Sequence, residues 1–155
     1  MKLIDGKKIA NIIKDEIKVK VTQIVESGDK PPHLAAVIVG NDGASLTYVG
    51  SKVRSCKQVG FDSTLIKLPE NITEEKLLNE VEKLNNNDDI DGFIVQLPLP
   101  KHIDENKITL SINPNKDVDG FHPTNFGKMA LNIKSFIPAT PFGIIELLDR
   151  YNIKT

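Results

Sequence analysis

The chain has 155 residues, a nearly balanced charge (20 Lys and Arg against 21 Asp and Glu) and a single cysteine, Cys56. This composition excludes an internal disulfide framework and a cysteine-based zinc site, and it predicts no general attraction to nucleic acid. No apolar run approaches the roughly 20 residues that span a bilayer, and the N-terminus lacks the apolar core of a signal peptide. We therefore expect a soluble cytoplasmic protein that binds neither nucleic acid nor membrane.

The N-terminal part of the chain alternates between helical and strand patterns. The predicted elements are a helix over 7–27, a strand over 34–39, a helix over about 45–59, a strand over 61–68, a helix that Thr73 caps and a strand over 92–97. The first strand is apolar throughout, which is typical of a strand buried on both faces of a parallel sheet. The alternation predicts an α/β fold with three layers, αβα, around a mostly parallel sheet.

The C-terminal part is less regular. We expect a short helix near 104–111, a loop over 113–122, a helix through Met129 and a last helix that begins at Pro141. That last helix has hardly any polar face, and such a helix should be covered by other protein. We therefore expect the chain to be the first part of a longer protein.

Tyr48 and Lys52 are four residues apart, so they share one face of the second predicted helix. The helix follows the first strand, at the edge where open α/β sheets bind ligands. Two interpretations remain open: a lysine that the ring positions for chemistry, or a surface lysine packed along a tyrosine. Tyr-x-x-x-Lys is also the catalytic pair of short-chain dehydrogenases, but those need a glycine-rich nucleotide turn that residues 1–33 lack.

Two further polar groups stand at strand ends or in loops. Gln96 ends the third predicted strand, and Pro98 and Pro100 stiffen the loop after it. If the first and third strands are neighbours, Gln96 comes to the Lys52 face; otherwise it is an exposed amide in a turn. The pair Asp117 and Asp119 is either a solvated turn or an acceptor for the N–H groups of a ligand.

No metal site is predicted. The loop that contains Asp117 does not fit a calcium-binding loop, because the twelfth position counted from Asn115 is Phe126 instead of glutamate. His33, His102 and His122 have no metal-ligand spacing, so surface or core positions are expected for them.

Three blocks in order resemble the bifunctional methylenetetrahydrofolate dehydrogenase/cyclohydrolases: 44–52 (ASLTYVGSK), 95–102 (VQLPLPKH) and 113–121 (NPNKDVDGF). The likeness extends from Asp5 to Gly143. It implies that residues 1–137 are the folate-binding catalytic domain and that 138–155 begin the long helix that leads to an NADP-binding Rossmann domain, absent from this chain. The implied activity is oxidation of 5,10-methylenetetrahydrofolate with NADP and hydrolysis of the product to 10-formyltetrahydrofolate, which supplies one-carbon units for purine biosynthesis.

The resemblance also assigns roles by position. Lys52 matches the catalytic lysine, Tyr48 the tyrosine that stacks on the folate, and Gln96 the partner that holds the lysine. Leu97 and Pro98 match the loop against the folate rings, and Asp119 matches the acid that anchors the pterin. Asp117 receives no ligand role.

The remaining implications concern the cofactor and the assembly. The NADP site lies mostly in the absent domain, with Thr140 a candidate contact from this chain, and the parent protein is a homodimer. Ala139 departs from the family's pattern, since many members have cysteine there. The alternative function is an isolated folate-binding module without turnover.

Overall fold

The computed structural model describes residues 3–154, and in this range the chain forms three strands and six helices. The strands are β1 (His33–Val39), β2 (Asp62–Leu68) and β3 (Gly92–Val95); the helices are α1 (Gly6–Glu26), α2 (Gly43–Val59), α3 (Glu74–Asn85), α4 (Glu105–Ser111), α5 (Pro123–Ala130) and α6 (Ala139–Arg150). The predicted order of elements is confirmed.

All three strands are parallel, in the order β2–β1–β3. The central strand β1 is buried from Ala35 to Val39, as predicted from its continuous apolar run. The first and third strands are neighbours, so their carboxyl ends lie side by side at one edge of the sheet.

Local capping explains where the helices begin. Asp5, Asp42 and Thr73 each accept a hydrogen bond from a backbone N–H in the first turn of α1, α2 and α3. Such side chains satisfy N–H groups that have no partner within the helix. Gly60 ends α2 in the left-handed region at φ +87°, a conformation that glycine adopts without steric cost.

Alternate residues of β1 pack into two separate cores. On one face, Ala35, Val37 and Val39 join α3 and α4 in the larger core, together with Leu77 and Val81. On the other face, Ala36 and Ile38 pack against Val49 of α2. The predicted αβα layering is therefore confirmed, with the sheet as the middle layer.

Several predicted boundaries differ from the observed ones by one or two residues, and two of these differences have a clear structural reason. The third strand ends at Val95, before the Leu97–Pro98 peptide, which is cis. Gln96 still donates its N–H to Val37 (2.9 Å), but proline has no N–H with which to continue the ladder. The last helix begins at Ala139 and not at Pro141, because the first turn of a helix tolerates a residue without an N–H.

Helix α6 has no fully buried residue, and it contacts α1. Phe142, Ile144 and Ile145 are exposed. Among the described residues, no helix is long and apolar enough to cross a membrane.

An ion pair joins the starts of α3 and α4. The Glu74 carboxylate accepts hydrogen bonds from Lys107 Nζ and from the backbone N–H of Asp104. The Lys107 bond, supported by the Asp104 N–H, holds the pKa of Glu74 below its ordinary value.

We expect Glu74→Gln to lower the melting temperature by about 1–3 °C at pH 7. A carboxyl with a lowered folded-state pKa contributes its full stabilisation above the ordinary glutamate value, about 4.3, and loses it as the pH falls through the lowered value. The difference between the variant and the parent should therefore shrink toward pH 3 in thermal unfolding. Glu75→Gln, in the same first turn, is the control; a pH-independent difference for Glu74→Gln would contradict the prediction.

Candidate active site

A cleft of about 260 Å³ opens at the carboxyl ends of β1 and β3. Its walls come from α2, from the segment after β3, from the loop before α5 and from the start of α6. The lining residues are Tyr48, Lys52, Val95, Gln96, Leu97, Asp119, Phe121, Pro138, Ala139, Thr140 and Pro141. Four segments that are distant in sequence thus meet where the sheet topology predicts a ligand site.

Lys52 is held between an aromatic ring and a carboxylate. Its Nζ lies 4.8 Å from the centre of the Tyr48 ring and 3.3 Å from Asp119 Oδ1. The side chains of Lys52 and Asp119 are 22% and 26% exposed, whereas Tyr48 is 53% exposed. The Lys52 side chain is therefore largely shielded, while about half of Tyr48 is exposed at the edge of the cleft.

Gln96 lies in the same cleft as Lys52, but it is not the group bonded to Lys52 Nζ. Its Nε2 donates to the carbonyl oxygen of Leu97 (2.7 Å), and Asp119 is the bonded partner of the lysine. A charged acceptor attracts an ammonium more strongly than a neutral amide oxygen does. No hydrogen bond joins Gln96 to Lys52 in this arrangement, although the resemblance implies that Gln96 holds the lysine.

The two aspartates of the 117–119 segment have different surroundings. Asp117 is 3% exposed and accepts hydrogen bonds from the backbone N–H groups of Phe121 (3.3 Å) and His122 (2.8 Å) and from Asn125 Nδ2 (2.9 Å). These bonds satisfy its carboxylate inside the protein, so Asp117 shapes the loop, and Asp119 is the carboxylate that reaches the cleft.

The loop between β3 and α4 also lines a second groove beside the cleft. Leu97 lines both spaces, whereas Pro98 lines the groove and not the cleft, together with Asp42, Ser45 and Tyr48. Tyr48 borders both spaces.

Sequence reasoning missed two residues that build the site. Phe121 lines the cleft, and buried Asn125 ties Asp117 to the Pro114 carbonyl oxygen. A phenylalanine and an asparagine in loops carry no distinctive signal in a single sequence. The adjacent Asp117–Gly120 motif was the only available pointer to them.

The remaining polar candidates lie outside the cleft. His33 bonds Asp89 and Thr64, His102 bonds the Ile72 carbonyl oxygen, and His122 caps α5. Within residues 3–154, no group of three or more His, Cys, Asp or Glu side chains is arranged to hold a metal ion. Burial raises the pKa of the Cys56 thiol, which disfavours a reactive thiolate.

Gly120 permits the close approach of the two cleft walls. It has φ +70°, and a Cβ there would lie 2.9 Å from Ile137 C and Pro138 N.

We expect Gly120→Ala to destabilise the protein by more than about 2 kcal/mol, because it combines left-handed strain with a backbone clash. Urea unfolding would measure this. Gly127→Ala, which meets nothing within 4 Å, is the matched control; equal effects of the two substitutions would contradict the expectation.

Comparisons with known proteins agree in pointing to one family. Residues 4–119 match the family model described as tetrahydrofolate dehydrogenase/cyclohydrolase, catalytic domain. The chain is 67% identical over its full length to a bifunctional protein FolD from Flavobacterium johnsoniae and covers 52% of that protein. A FolD relative from Christiangramia forsetii is 64% identical over the same span. The chain thus spans about half the length of the curated relatives it matches.

Solved structures give the same result. The bifunctional enzyme FolD, a methylenetetrahydrofolate dehydrogenase/cyclohydrolase from Campylobacter jejuni, superposes with a TM-score of 0.95 at 44% identity, over 99% of this chain and 54% of that one. A FolD from Trypanosoma brucei, solved with NADP cofactor and inhibitor, has a TM-score of 0.92 at 32% identity, over 97% and 52%. The chain therefore belongs to the tetrahydrofolate dehydrogenase/cyclohydrolase family and contains its catalytic domain.

Proposed function

We propose that this chain supplies the folate site of an enzyme that oxidises 5,10-methylenetetrahydrofolate with NADP and hydrolyses the 5,10-methenyl product to 10-formyltetrahydrofolate. The observation that carries the proposal is the position of Lys52, between the Tyr48 ring and the Asp119 carboxylate in a cleft at the sheet edge. Family membership supports both reactions, because the named relatives are bifunctional.

Each cleft residue has a role that its surroundings suit. The exposed face of Tyr48 is a stacking platform for a flat ring, and Leu97 and Pro98 bound the two spaces beside it. The Asp119 carboxylate accepts hydrogen bonds from the N–H and amino groups of the pterin. Gln96 lies within the cleft as a neutral hydrogen-bonding group.

Lys52 manages protons during hydrolysis. The methenyl intermediate is a cation, so water adds to its bridging carbon and loses a proton to give a hydroxyl adduct. The bond from that carbon to N5 then breaks, N5 takes up a proton, and the hydroxyl proton is released to solvent as the formyl C=O forms. A positioned amine can accept the first proton and deliver the second. Tyr48 and Asp119 hold Lys52 beside the position where the folate ring stacks on Tyr48.

NADP accepts the hydride in the dehydrogenase step and is bound mainly by a Rossmann domain outside this chain. Thr140 is the candidate contact here, since it is an exposed residue that lines the cleft. The chain has no G-x-G-x-x-G turn for the pyrophosphate, so it forms at most one wall of the cofactor site.

We infer the domain division, the location and the assembly of the parent protein from family membership. Residues 1–137 form the catalytic domain, and 138–155 begin the link to the second domain. The parent is a cytoplasmic homodimer, and its 10-formyltetrahydrofolate supplies purine biosynthesis. The near-neutral charge suits a small-molecule partner better than nucleic acid.

A second candidate is a folate-binding module without turnover. The Lys52–Asp119 ion pair favours it, because both groups are engaged with each other in this structure. Under the first candidate, the bound folate has to replace Lys52 as the hydrogen-bonding partner of Asp119 before turnover. An assay with methenyltetrahydrofolate and without NADP distinguishes the two candidates.

We expect Lys52→Met to abolish methenyltetrahydrofolate hydrolysis above the spontaneous rate while folate still binds, because only the proton carrier is removed. The loss of methenyltetrahydrofolate absorbance measures hydrolysis, and calorimetry measures binding. Lys57→Met is the matched control, since this exposed lysine lies on the same helix outside the cleft. Unchanged turnover in Lys52→Met would refute the role. Folate binding without turnover in the unsubstituted chain would favour the second candidate.

We expect Asp119→Ala to weaken folate binding by about 2–3 kcal/mol, or roughly 30- to 150-fold in Kd, through loss of a charge-assisted contact. Titration calorimetry with tetrahydrofolate gives the value. Asp88→Ala, at an exposed position away from the cleft, controls for the change in net charge. An unchanged Kd for Asp119→Ala would count against its role as the pterin anchor.

A further inference from the structure

A two-pronged ion pair fastens α6 to α1. The guanidinium of Arg150 donates from Nη1 to Glu16 Oε1 (2.6 Å) and from Nη2 to Glu16 Oε2 (2.7 Å). Its Nε donates to Glu146 one turn earlier on α6 (2.7 Å). Arg150 is thus oriented by its own helix and bonded across to the other, which is the strongest geometry for an arginine–carboxylate pair.

Two smaller contacts lie beside this pair. Leu147 lies over Gly6, at 3.9 Å from the position that a Cβ would occupy there, and the backbone N–H of Asp5 donates to the Tyr151 hydroxyl (2.8 Å). All of these contacts involve the last turn of α6 and its end. The C-terminal end of α6 is therefore the end docked on α1.

The N-terminal end of the same helix forms one wall of the cleft. Pro138, Ala139, Thr140 and Pro141 line the cleft opposite Lys52, and Pro138 accepts the N–H of Phe142 (3.2 Å). The 12 residues of α6 span roughly 18 Å. A helix of this length behaves as a rigid rod, so a rotation at its docked end moves the wall at the other.

We propose that the Arg150–Glu16 pair positions one wall of the cleft: it fixes the distance between residues 138–141 and Lys52. An exposed ion pair usually contributes little to stability. Here it matters because α6 has no fully buried residue, so the pair and the contacts beside it hold the C-terminal end of the helix, while packing against Gly120 holds the other end. The consequence for folate rests on the proposed function; the mechanical link between pair and wall does not.

Hydrogen exchange tests the mechanical link without any ligand. We expect Glu16→Gln and Arg150→Gln to accelerate exchange of the α6 amides about threefold or more, including that of Phe142, which reports on the wall directly. The double variant should accelerate exchange of the α6 amides no more than either single variant does, because both substitutions remove the same interaction. Lys107→Gln is the matched control: it breaks another ion pair between helices, away from α6. Unchanged exchange at Phe142 in both single variants would overturn the proposal.

Kinetics test the consequence for the substrate. In both single variants we expect the KM for methenyltetrahydrofolate, or the Kd for tetrahydrofolate if there is no turnover, to rise about threefold, with kcat within about twofold. Arg150→Lys keeps the positive charge but cannot donate two parallel hydrogen bonds to Glu16. Its KM or Kd should therefore lie between that of Arg150→Gln and that of the unsubstituted chain. An unchanged KM or Kd with accelerated exchange would overturn the role in the cleft. If the parent chain binds no folate, the proposed function fails, and exchange at Phe142 still decides the mechanical link.

Discussion

Burial of β1 on both faces is the constraint on which the rest of the structure depends. Because Ala35, Val37 and Val39 pack on one side and Ala36 and Ile38 on the other, helices must cover both faces of the sheet. A parallel sheet covered in this way needs crossover helices, and those crossovers bring the carboxyl ends of β1 and β3 together. The cleft is a consequence of this topology.

The chemistry of the cleft comes from weakly held polar groups on a rigid frame. Lys52 projects from a helix that is buried through Val49 and Cys56, about one turn before and after it, so its backbone cannot shift easily. Asp119 follows Asp117, whose carboxylate is saturated by internal hydrogen bonds. The supporting groups are buried and hydrogen-bonded, whereas Lys52 and Asp119 remain partly exposed.

The fourth wall of the cleft is held differently from the other three. The segments at α2, after β3 and before α5 are anchored by the core, whereas α6 is anchored at Gly120 and at the Arg150–Glu16 pair. Surface contacts therefore determine the geometry of this side. The exposed Phe142, Ile144 and Ile145 leave its outer face open to further protein.

The sequence by itself determined the order of elements and the parallel sheet, because apolar periodicity and capping residues are local signals. Its ordered motifs pointed to Tyr48, Lys52 and Asp119 as site residues through the family resemblance, and they left two positions open for Gln96. The adjacency of β1 and β3 places Gln96 in the cleft with Lys52. Only the tertiary structure decided that Asp119 is the bonded partner of Lys52 and that Asp117 and Asn125 build the loop. Such pairings join residues far apart in the chain, and they depend on distances that no local pattern encodes. The Arg150–Glu16 contact, between the two ends of the chain, is of the same kind.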